Sequence, residues 1–302
     1  MMKQVMILFT MMVSISALSA GEAVEPSGDG VENLVVLLTD YGTTDFYVGA
    51  LEESIYSANP EARISTITHE VPAFNIAEGS YILAQAAREY PPGSVFVAEV
   101  DPGIGTGERS IVLETNDGKL FVGPDNGLFT GVMDELGISS VHEIANLNLT
   151  RQGRTSAIFN GRDIYGPVAG HLAAGTDLSE VGPEIFDPVR IELAEADLQN
   201  GTLIGTIVHV DHWGHLITNI PQGLIEMEGL VPGDRVEIVV GGETKEALFG
   251  TTYNDVPPGE WVVMTGLSGQ LVISKNMYSA ADTLGVSAGA EVRVHEIWES
   301  SE

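Results

Sequence analysis

The chain has 302 residues, 43 acidic against 13 basic side chains, and no cysteine. Its net charge of −30 repels nucleic acid and anionic membrane surfaces, so we expect neither as a partner. The lack of cysteine excludes disulfides, thiolate nucleophiles and thiolate metal ligands. The length is sufficient for two domains, each with its own core.

The first segment has the layout of a secretory signal peptide. Within residues 1–20, Lys3 precedes an apolar run that gives way to small residues at Ser16–Ala20. A retained membrane anchor is the alternative, although the run is short for a span of roughly 20 residues. Residues 21–32 are acidic and rich in Gly, Pro and Ser, which predicts a disordered lead-in. We therefore expect an exported protein, periplasmic or secreted, without stable membrane insertion after cleavage.

Short apolar runs then alternate with segments of helical spacing over residues 33–188. The first run, LVVLLT, is continuously apolar, as is typical of a strand buried on both faces. The alternation predicts an α/β domain with a largely parallel central sheet. The predicted strands are Leu34–Thr39, Arg63–Thr68, Ser94–Val100, Ser110–Glu114 and Leu120–Val122, and the predicted helices are Phe46–Ala58, Ile76–Glu89, Gly127–Leu136 and Asp163–Ala174.

The pattern changes after a break at Glu180–Pro188. Beyond it, short strands alternate with Gly and Pro turns, which predicts an all-β barrel domain over residues 189–302. The predicted strands are Thr202–Asp211, Arg235–Val240, Thr244–Phe249, Trp261–Thr265, Leu271–Ser274 and Glu291–Glu296.

Acidic residues follow two of the predicted parallel strands. Ligands of open α/β sheets bind beyond the carboxyl ends of the strands. Asp40 begins DYGTTD, and its carboxylate can accept two hydrogen bonds from a vicinal diol such as ribose, although a turn-capping role is the alternative. Asp101 begins the tight loop DPGIGT, which lacks the Lys-Ser/Thr of a nucleoside triphosphatase.

The motifs together resemble those of the S-adenosylmethionine hydroxide adenosyltransferase family, relatives of the fluorinase and chlorinase enzymes. The resemblance spans about residues 34–297 and rests on DYGTTD at 40–45, DPGIGT at 101–106, PDNGL at 124–128, FNGRD at 159–163, DHWGHLITN at 211–219 and NMYSAA at 276–281. It implies an N-terminal α/β domain, a C-terminal β-barrel, and a homotrimer that holds the ligand between neighbouring subunits.

The resemblance also implies roles for single residues. By this comparison Asp40 holds the ribose hydroxyls, Phe74 packs against the ligand, and Asp45, Asp211 and Ser268 approach the methionine end. Carboxylates there suit the positive charge of S-adenosylmethionine. The implied substrate-binding residues are Asp40, Asp45, Phe74, Phe159, Asp211, Trp213, His215, Tyr253, Ser268 and Asn276, of which Asn276 and Tyr253 lie near the adenine.

The attack site favours water over halide. Halogenating members have a Tyr where this chain has Asp101 and a Ser where it has Gly161, and a carboxylate repels halide but can accept a proton from water. Hydrolytic members use an Asp together with an Arg and a His to handle the water. In an ungapped alignment Glu108 occupies the position of that Arg and Asn160 the position of that His, and Arg109 directly follows Glu108. We predict Asp101, Asn160 and Arg109 as catalytic residues. Because Glu108 and Asn160 depart from the hydrolytic pattern, weakened hydrolysis, a different nucleophile and binding without turnover are all open outcomes.

A histidine cluster at 209–215 is the remaining candidate for chemistry. Three histidines and an aspartate within seven residues suggest a metal, but their spacing fits no helix face. We therefore predict no metal and no cofactor.

The first functional hypothesis is an enzyme that hydrolyses S-adenosylmethionine, or a related adenosyl compound, at the 5′ carbon to give adenosine and methionine. The alternative is an exported protein that binds or scavenges adenosine-like ligands, because S-adenosylmethionine is made and kept in the cytoplasm while residues 1–20 indicate export. An S-adenosylmethionine-dependent halogenase and a purely structural trimer are the remaining hypotheses.

Overall fold

A computed structural model describes residues 32–152 and 156–297. The predicted signal peptide and all but the last residue of the predicted lead-in lie outside the described residues. No helix in the described part of the chain is long and apolar enough to cross a membrane.

The N-terminal half contains a six-stranded sheet flanked by helices. The elements are β1 (Leu34–Thr39), α1 (Tyr47–Ala58), β2 (Arg63–Thr68), α2 (Ile76–Ala87), β3 (Val95–Glu99), β4 (Ser110–Glu114), β5 (Leu120–Pro124), α3 (Thr130–Leu136), β6 (Ser140–Glu143) and α4 (Gly166–Ala173). The strand order is β2-β1-β3-β5-β4-β6. The β2, β1, β3 and β5 strands are parallel, whereas β4 runs antiparallel to β5 and β6. The predicted α/β fold with a largely parallel sheet is confirmed.

Both faces of this sheet are covered, which explains the continuous apolar run of β1. Side chains of a strand point alternately to opposite faces. Val36 and Leu38 pack in the core on the side of α2 and α3, while Val35 and Leu37 pack on the side of α1 and α4. All four side chains are fully buried, so this strand has no solvent-facing position for a polar residue.

The C-terminal half is a closed β-barrel. Its elements are β7 (Asp197–Gln199), β8 (Thr202–Val210), β9 (Leu216–Pro221), α5 (Gln222–Glu228), β10 (Arg235–Val240), β11 (Glu243–Phe249), β12 (Trp261–Thr265), β13 (Gln270–Lys275), α6 (Ala280–Leu284) and β14 (Glu291–Glu296). The strand order is β14-β10-β11-β12-β13-β9-β8-β7, and pairing of β14 with β8 closes the ring. Alternate residues of these strands, such as Leu203, Ile207, Val236 and Ile238, fill the interior. The predicted barrel is confirmed.

The connection between the two halves is tied to the α/β domain. The Val189 N–H donates to Asp125 at 2.7 Å, and the Ile191 N–H donates to the Thr130 hydroxyl at 3.0 Å. A second tie joins α2 to β8, where His209 Nδ1 lies 2.8 Å from Glu78 Oε1. The domain boundary at 188/189 stays a prediction.

Several elements differ from the sequence prediction. The helix predicted over Asp163–Ala174 begins earlier, because residues Gly161–Tyr165 form a π-helical turn that runs directly into α4. Asp163, the first residue of the predicted helix, lies buried inside this turn. The short edge strand β6 and strand β9 were not predicted, because their polar residues interrupt the apolar pattern and only pairing with β4 and with β8 and β13 makes them strands.

Candidate functional site

The carboxyl ends of β1 and β3 lie side by side in the sheet, and we refer to the region beyond this edge as the crevice. Asp40 directly follows β1, and its Oδ2 accepts the backbone N–H of Phe74 at 2.9 Å. Phe74 has a φ of 67°, which is uncommon for a residue other than glycine, and its ring is 67% exposed. Asp101 follows β3 and is only 9% exposed, and its Oδ1 accepts the Gly103 N–H at 2.9 Å. The fold therefore brings the two aspartates predicted from sequence to one edge of the sheet.

Aromatic rings form one wall of this crevice. The ring of Phe159 meets Tyr41 at 5.8 Å and Tyr47 at 5.4 Å between centroids, both edge to face. The Arg162 guanidinium lies 4.9 Å from the centre of the Phe159 ring. Arg162 also donates to Asp163 from Nε at 2.7 Å and from Nη2 at 2.9 Å, which fixes its guanidinium beside the ring. These contacts give the crevice a rigid apolar side against which a flat ligand can pack.

A buried carboxyl group that the sequence analysis missed lies beneath the crevice. Glu99, the last residue of β3, is 2% exposed and accepts hydrogen bonds from the Tyr41 hydroxyl and the Gly161 N–H. Burial raises the pKa of Glu99 to about 8; the charges of Asp101 and Asp40 add to this, and the Tyr41 hydrogen bond opposes it. Burial also raises the pKa of Tyr41 well above its ordinary value. The only sequence signal was a lone glutamate in an otherwise apolar strand.

Gly161 leaves no room for a side chain beside this buried pair. A Cβ atom at this position would clash with Glu99 Oε2 and the Tyr41 hydroxyl oxygen. The glycine is therefore required by packing. Position 161 is where the halogenating members of the resembled family have a serine, and here that space is already occupied.

Asn160 precedes Gly161, and its side chain is held by a hydrogen bond to a buried tyrosine. Its side chain forms a hydrogen bond with the Tyr165 hydroxyl. The Tyr165 hydroxyl in turn accepts a hydrogen bond from the Ser110 hydroxyl at 3.4 Å. Tyr165 is almost fully buried, and burial raises its pKa, with the charge of Glu99 adding to the effect. Asn160 is thus held in one orientation at the edge of the crevice, where its remaining amide capacity can orient a water molecule.

The loop after Asp101 folds back on itself. The Thr106 N–H and hydroxyl both donate to the Gly103 carbonyl, at 3.0 and 2.7 Å. The carboxyl group of Glu108 consequently covers Gly103 and forms a hydrogen bond with Asp101. Partial desolvation, this hydrogen bond and the charge of Asp101 raise the pKa of Glu108 to about 7.

Arg109 is held by two carboxylates. Its Nε donates to Asp125 Oδ2 at 2.8 Å, and its Nη1 donates to Asp187 Oδ1 at 2.9 Å. Asp125 is buried, so this ion pair ties β4 to the end of β5 and to the segment that leads to the barrel. The predicted role of Arg109 at the attack site stays a prediction.

A second candidate pocket lies on the barrel. It has a volume of about 520 Å³ and is lined by Trp213, His215, Tyr253, Asn254, Asn276, Met277, Tyr278 and Ser279. The His215 ring stacks on Tyr253 at 4.6 Å, and Asp211 Oδ1 shapes the turn by accepting the N–H groups of Trp213 and His215 at 3.0 and 2.8 Å. Buried Asn276 donates to the Val256 carbonyl at 2.7 Å. Every residue that lines this pocket belongs to the barrel.

The remaining predicted residues are divided between the α/β domain and the barrel. Asp45 is exposed in the loop before α1, on the α/β domain. Ser268 and Asp211 line a groove between α2 and the barrel, where Ser268 forms a hydrogen bond with Tyr81. Within one chain, the three groups predicted for the methionine end therefore lie on two domains. Among the described residues no group of three or more acidic or histidine side chains is arranged to hold a metal ion.

Comparisons with known proteins agree with both halves of the fold. Residues 35–182 match the model of the SAM hydroxide adenosyltransferase N-terminal domain, and residues 205–293 match that of the C-terminal domain. The (R)-S-adenosyl-L-methionine hydrolase of Salinispora tropica is 36% identical over 263 residues, which cover 85% of this chain and 95% of that protein. The protein of the same name from Methanocaldococcus jannaschii is 31% identical over 277 residues, or 88% of this chain and 97% of that protein.

One more distant relative and one solved structure also match most of the chain. The fluorinase of an Actinoplanes species is 26% identical over 289 residues, which cover 86% of this chain and 97% of that enzyme. A crystal structure of an uncharacterized conserved protein from Thermotoga maritima has a TM-score of 0.83 and 35% identity, and the match covers 87% of this chain and 99% of that one.

Proposed function

Because the chain belongs to the S-adenosylmethionine hydroxide adenosyltransferase family, we propose that it is an enzyme that hydrolyses S-adenosylmethionine to adenosine and methionine. The observation that carries this proposal is the buried carboxylate of Asp101, placed beside Asp40 at the crevice, in a chain 36% identical to a named hydrolase. No cofactor is needed, because the sulfonium of the substrate is already a good leaving group.

In this reaction the crevice residues position the substrate and accept a proton. Asp40 accepts hydrogen bonds from the ribose hydroxyls, and Phe159 and Phe74 pack against the adenosyl group. Water attacks the 5′ carbon, the new C–O bond forms as the C–S bond breaks, and the electron pair of that bond stays on the sulfur of methionine. Asp101 accepts a proton from the attacking water, and Asn160 orients that water molecule.

Hydrolysis is favoured over halogenation by the occupied space at Gly161. The fluorinase relatives keep halogenation as the second candidate activity. In this chain the crevice edge presents the carboxylate of Asp101, whose charge disfavours an anionic nucleophile.

We further propose that the complete site forms between subunits of a homotrimer. The crevice belongs to the α/β domain, and the pocket around Trp213 is lined by barrel residues only. Large apolar side chains are exposed near both: Phe46 and Phe74 near the crevice, and Trp213 and Met277 at the pocket. Clustered exposed apolar groups are typical of interaction surfaces, so docking of one chain's crevice on a neighbour's barrel would cover them and complete the site.

Export remains part of the proposal, and with it the alternative function. The signal-like residues 1–20, together with Glu108 and Asn160 at the positions of an Arg and a His in hydrolytic members, favour an exported binder or scavenger of adenosine-like ligands. N-terminal sequencing of the mature protein tests export, with a start after residue 17 expected for a cleaved signal peptide.

The function is tested by the Asp101→Asn variant. We expect it to release adenosine at least about a hundredfold more slowly, because the general base is gone, while it binds S-adenosylmethionine nearly as tightly as the unaltered protein. Adenosine is followed by chromatography and binding by calorimetry.

The matched control is Asp197→Asn, a change of the same kind on the exposed edge strand β7 of the barrel, which is expected to keep full turnover. Ligand binding without adenosine release by the unaltered protein would support the binder instead of the enzyme, and full turnover by Asp101→Asn would remove Asp101 from the mechanism.

A further inference from the structure

The fold places the acidic side chain of Glu108 directly against the carboxyl group of Asp101. A Cβ atom built on Gly103 would lie 2.9 Å from both carboxyl oxygens of Glu108, so this group covers Gly103. The N–H of the same glycine donates to Asp101 at 2.9 Å. The two carboxyl groups therefore meet over one residue, where a proton on either can be shared with the other.

The two partners differ in their access to solvent. Asp101 is 9% exposed, whereas Glu108 is exposed at the surface of the loop. A proton that reaches Glu108 can leave to water directly, while one held by Asp101 alone is shielded by the crevice and by a bound ligand.

Within the described residues, no cation acts on the carboxyl group of Glu108. Arg109 follows Glu108, but its guanidinium is engaged by Asp125 and Asp187. The other charged or titratable groups that face the pair are Asp125, whose charge acts on Glu108, and Glu99 and Tyr165, which lie beneath Asp101. Two carboxylates in contact without a cation bind one proton more tightly than either does alone.

We propose that Glu108 and Asp101 together form the general base of the hydrolysis, with Glu108 as a proton-relay residue that acts through Asp101. This inference rests on the proposed function. Water gives its proton to Asp101 as the C–O bond forms and the C–S bond breaks. The proton is then shared with Glu108, which releases it to solvent and restores the doubly ionised pair.

The arrangement gives the base a proton affinity suited to neutral pH. A general base is most effective when its pKa lies near the working pH, and a lone aspartate is a weaker base than that. Partial burial, together with the contact with Asp101, raises the pKa of Glu108 to about 7. The doubly ionised pair is the active form, so kcat is expected to rise with pH and to level off above about 7.

The test compares the kcat profile against pH for the unaltered enzyme, Glu108→Gln and Glu108→Arg. Glutamine removes the second negative charge. We therefore expect kcat to begin its rise at a pH about one to three units lower, and the plateau value of kcat to fall about tenfold. Arginine places a positive charge beside Asp101 and is expected to move the rise further in the same direction. The KM is expected to stay within about twofold, because Glu108 acts on the base and not on the ligand.

Glu61→Gln is the matched control, since Glu61 is an exposed glutamate in the loop between α1 and β2, at the opposite edge of the sheet. It is expected to leave the profile unchanged. If Glu108 had a purely structural role, the substitutions would lower kcat, but the pH at which kcat rises would not decrease from the unaltered enzyme to Glu108→Gln to Glu108→Arg. That result would overturn the proposal while leaving the hydrolase function in place.

A second measurement does not depend on turnover. NMR of isotopically labelled glutamate carboxyl carbons, without ligand, is expected to show one resonance that titrates near 7, is absent in Glu108→Gln, and titrates at lower pH in Asp101→Asn. Titration of Glu108 at its ordinary pKa would exclude the pair even if the protein proved to be a binder.

Discussion

At the scale of single residues, the crevice holds carboxyl groups whose surroundings make them chemically different. Asp101 contacts Glu108, which is open to solvent, whereas Glu99 is enclosed between Tyr41 and Gly161. Since burial raises the pKa of Glu99 to about 8, this residue is protonated at neutral pH. It therefore provides polarity beneath the site without adding to the negative charge there.

The Glu99→Gln variant tests this protonation through stability. The folded chain holds the Glu99 proton more tightly than the unfolded chain, where the pKa is near its ordinary value of 4.5, so the stabilisation is complete below 4.5 and is lost as pH rises through about 8. Glutamine imitates the protonated form at every pH. We expect the two proteins to melt at similar temperatures below pH 4.5, and the variant to melt at a higher temperature above pH 8.

Calorimetry or circular dichroism across this range measures the difference. A constant offset between the two melting temperatures at all pH values would contradict a protonated Glu99. Comparison of the two proteins at each pH cancels the contribution of the other carboxyl groups, because these are the same in both.

At the scale of elements, the π-helical turn Gly161–Tyr165 organises one side of the crevice. π-helical turns are rare and are frequently found at functional sites. This one directs the Gly161 N–H to Glu99, and its last residue, Tyr165, anchors Asn160. The turn thus connects the aromatic wall at Phe159 to the carboxyl groups at the end of β3.

Gly161→Ala is expected to destabilise the fold by about 1–3 kcal/mol, because the added methyl group would overlap the Glu99 carboxyl and the Tyr41 hydroxyl. Urea denaturation measures the loss. The same substitution in a Glu99→Ala background is expected to cost less, since the obstructing carboxyl is gone.

Gly49→Ala is the matched control, because Gly49 lies on an exposed face of α1 with no atom near the position of a Cβ. It is expected to stabilise the fold by about 0.5–1 kcal/mol through helix propensity. An equal effect of both substitutions would show that position 161 is not sterically constrained.

At the scale of the whole molecule, the predicted binding residues are divided between two domains of one chain. Asp40, Phe74 and Asp101 belong to the α/β domain, and the Trp213 pocket belongs to the barrel. The proposed trimer would unite a crevice with a neighbour's pocket. Sharing of this kind can be detected without a structure of the assembly.

Co-expression of Asp101→Asn with a Trp213→Ala, His215→Ala double variant tests the shared site. Each protein alone is expected to be inactive or nearly so. In randomly mixed trimers about a quarter of the sites combine an intact crevice with an intact pocket, so about a quarter of full activity is expected.

Sedimentation analysis of the same samples gives the mass of the assembly, against 32.1 kDa for one full-length chain. No recovery of activity in a verified mixed assembly would place each site within one chain, and a monomeric mass would exclude the trimer.

The sequence by itself determined the order and the limits of most elements. The continuous apolar run of β1 and the helical spacing of α1 are local patterns, and burial on both faces follows directly from them. The positions of Asp40 and Asp101 could also be predicted, because the carboxyl ends of parallel strands meet at one edge of the sheet.

Only the tertiary structure decided the chemical state of the acidic groups. The protonation of Glu99 follows from its burial against Tyr41 and Gly161, which are far from it in the chain, although their hydrogen bonds favour the ionised form. The engagement of Arg109 likewise depends on Asp125 and Asp187. Proton affinity is set by burial and by neighbouring charges, and both arise from contacts between distant segments that no local pattern encodes. For the same reason, the sequence identified Glu108 as a departure from the family, and the folded loop placed its carboxyl group against Asp101.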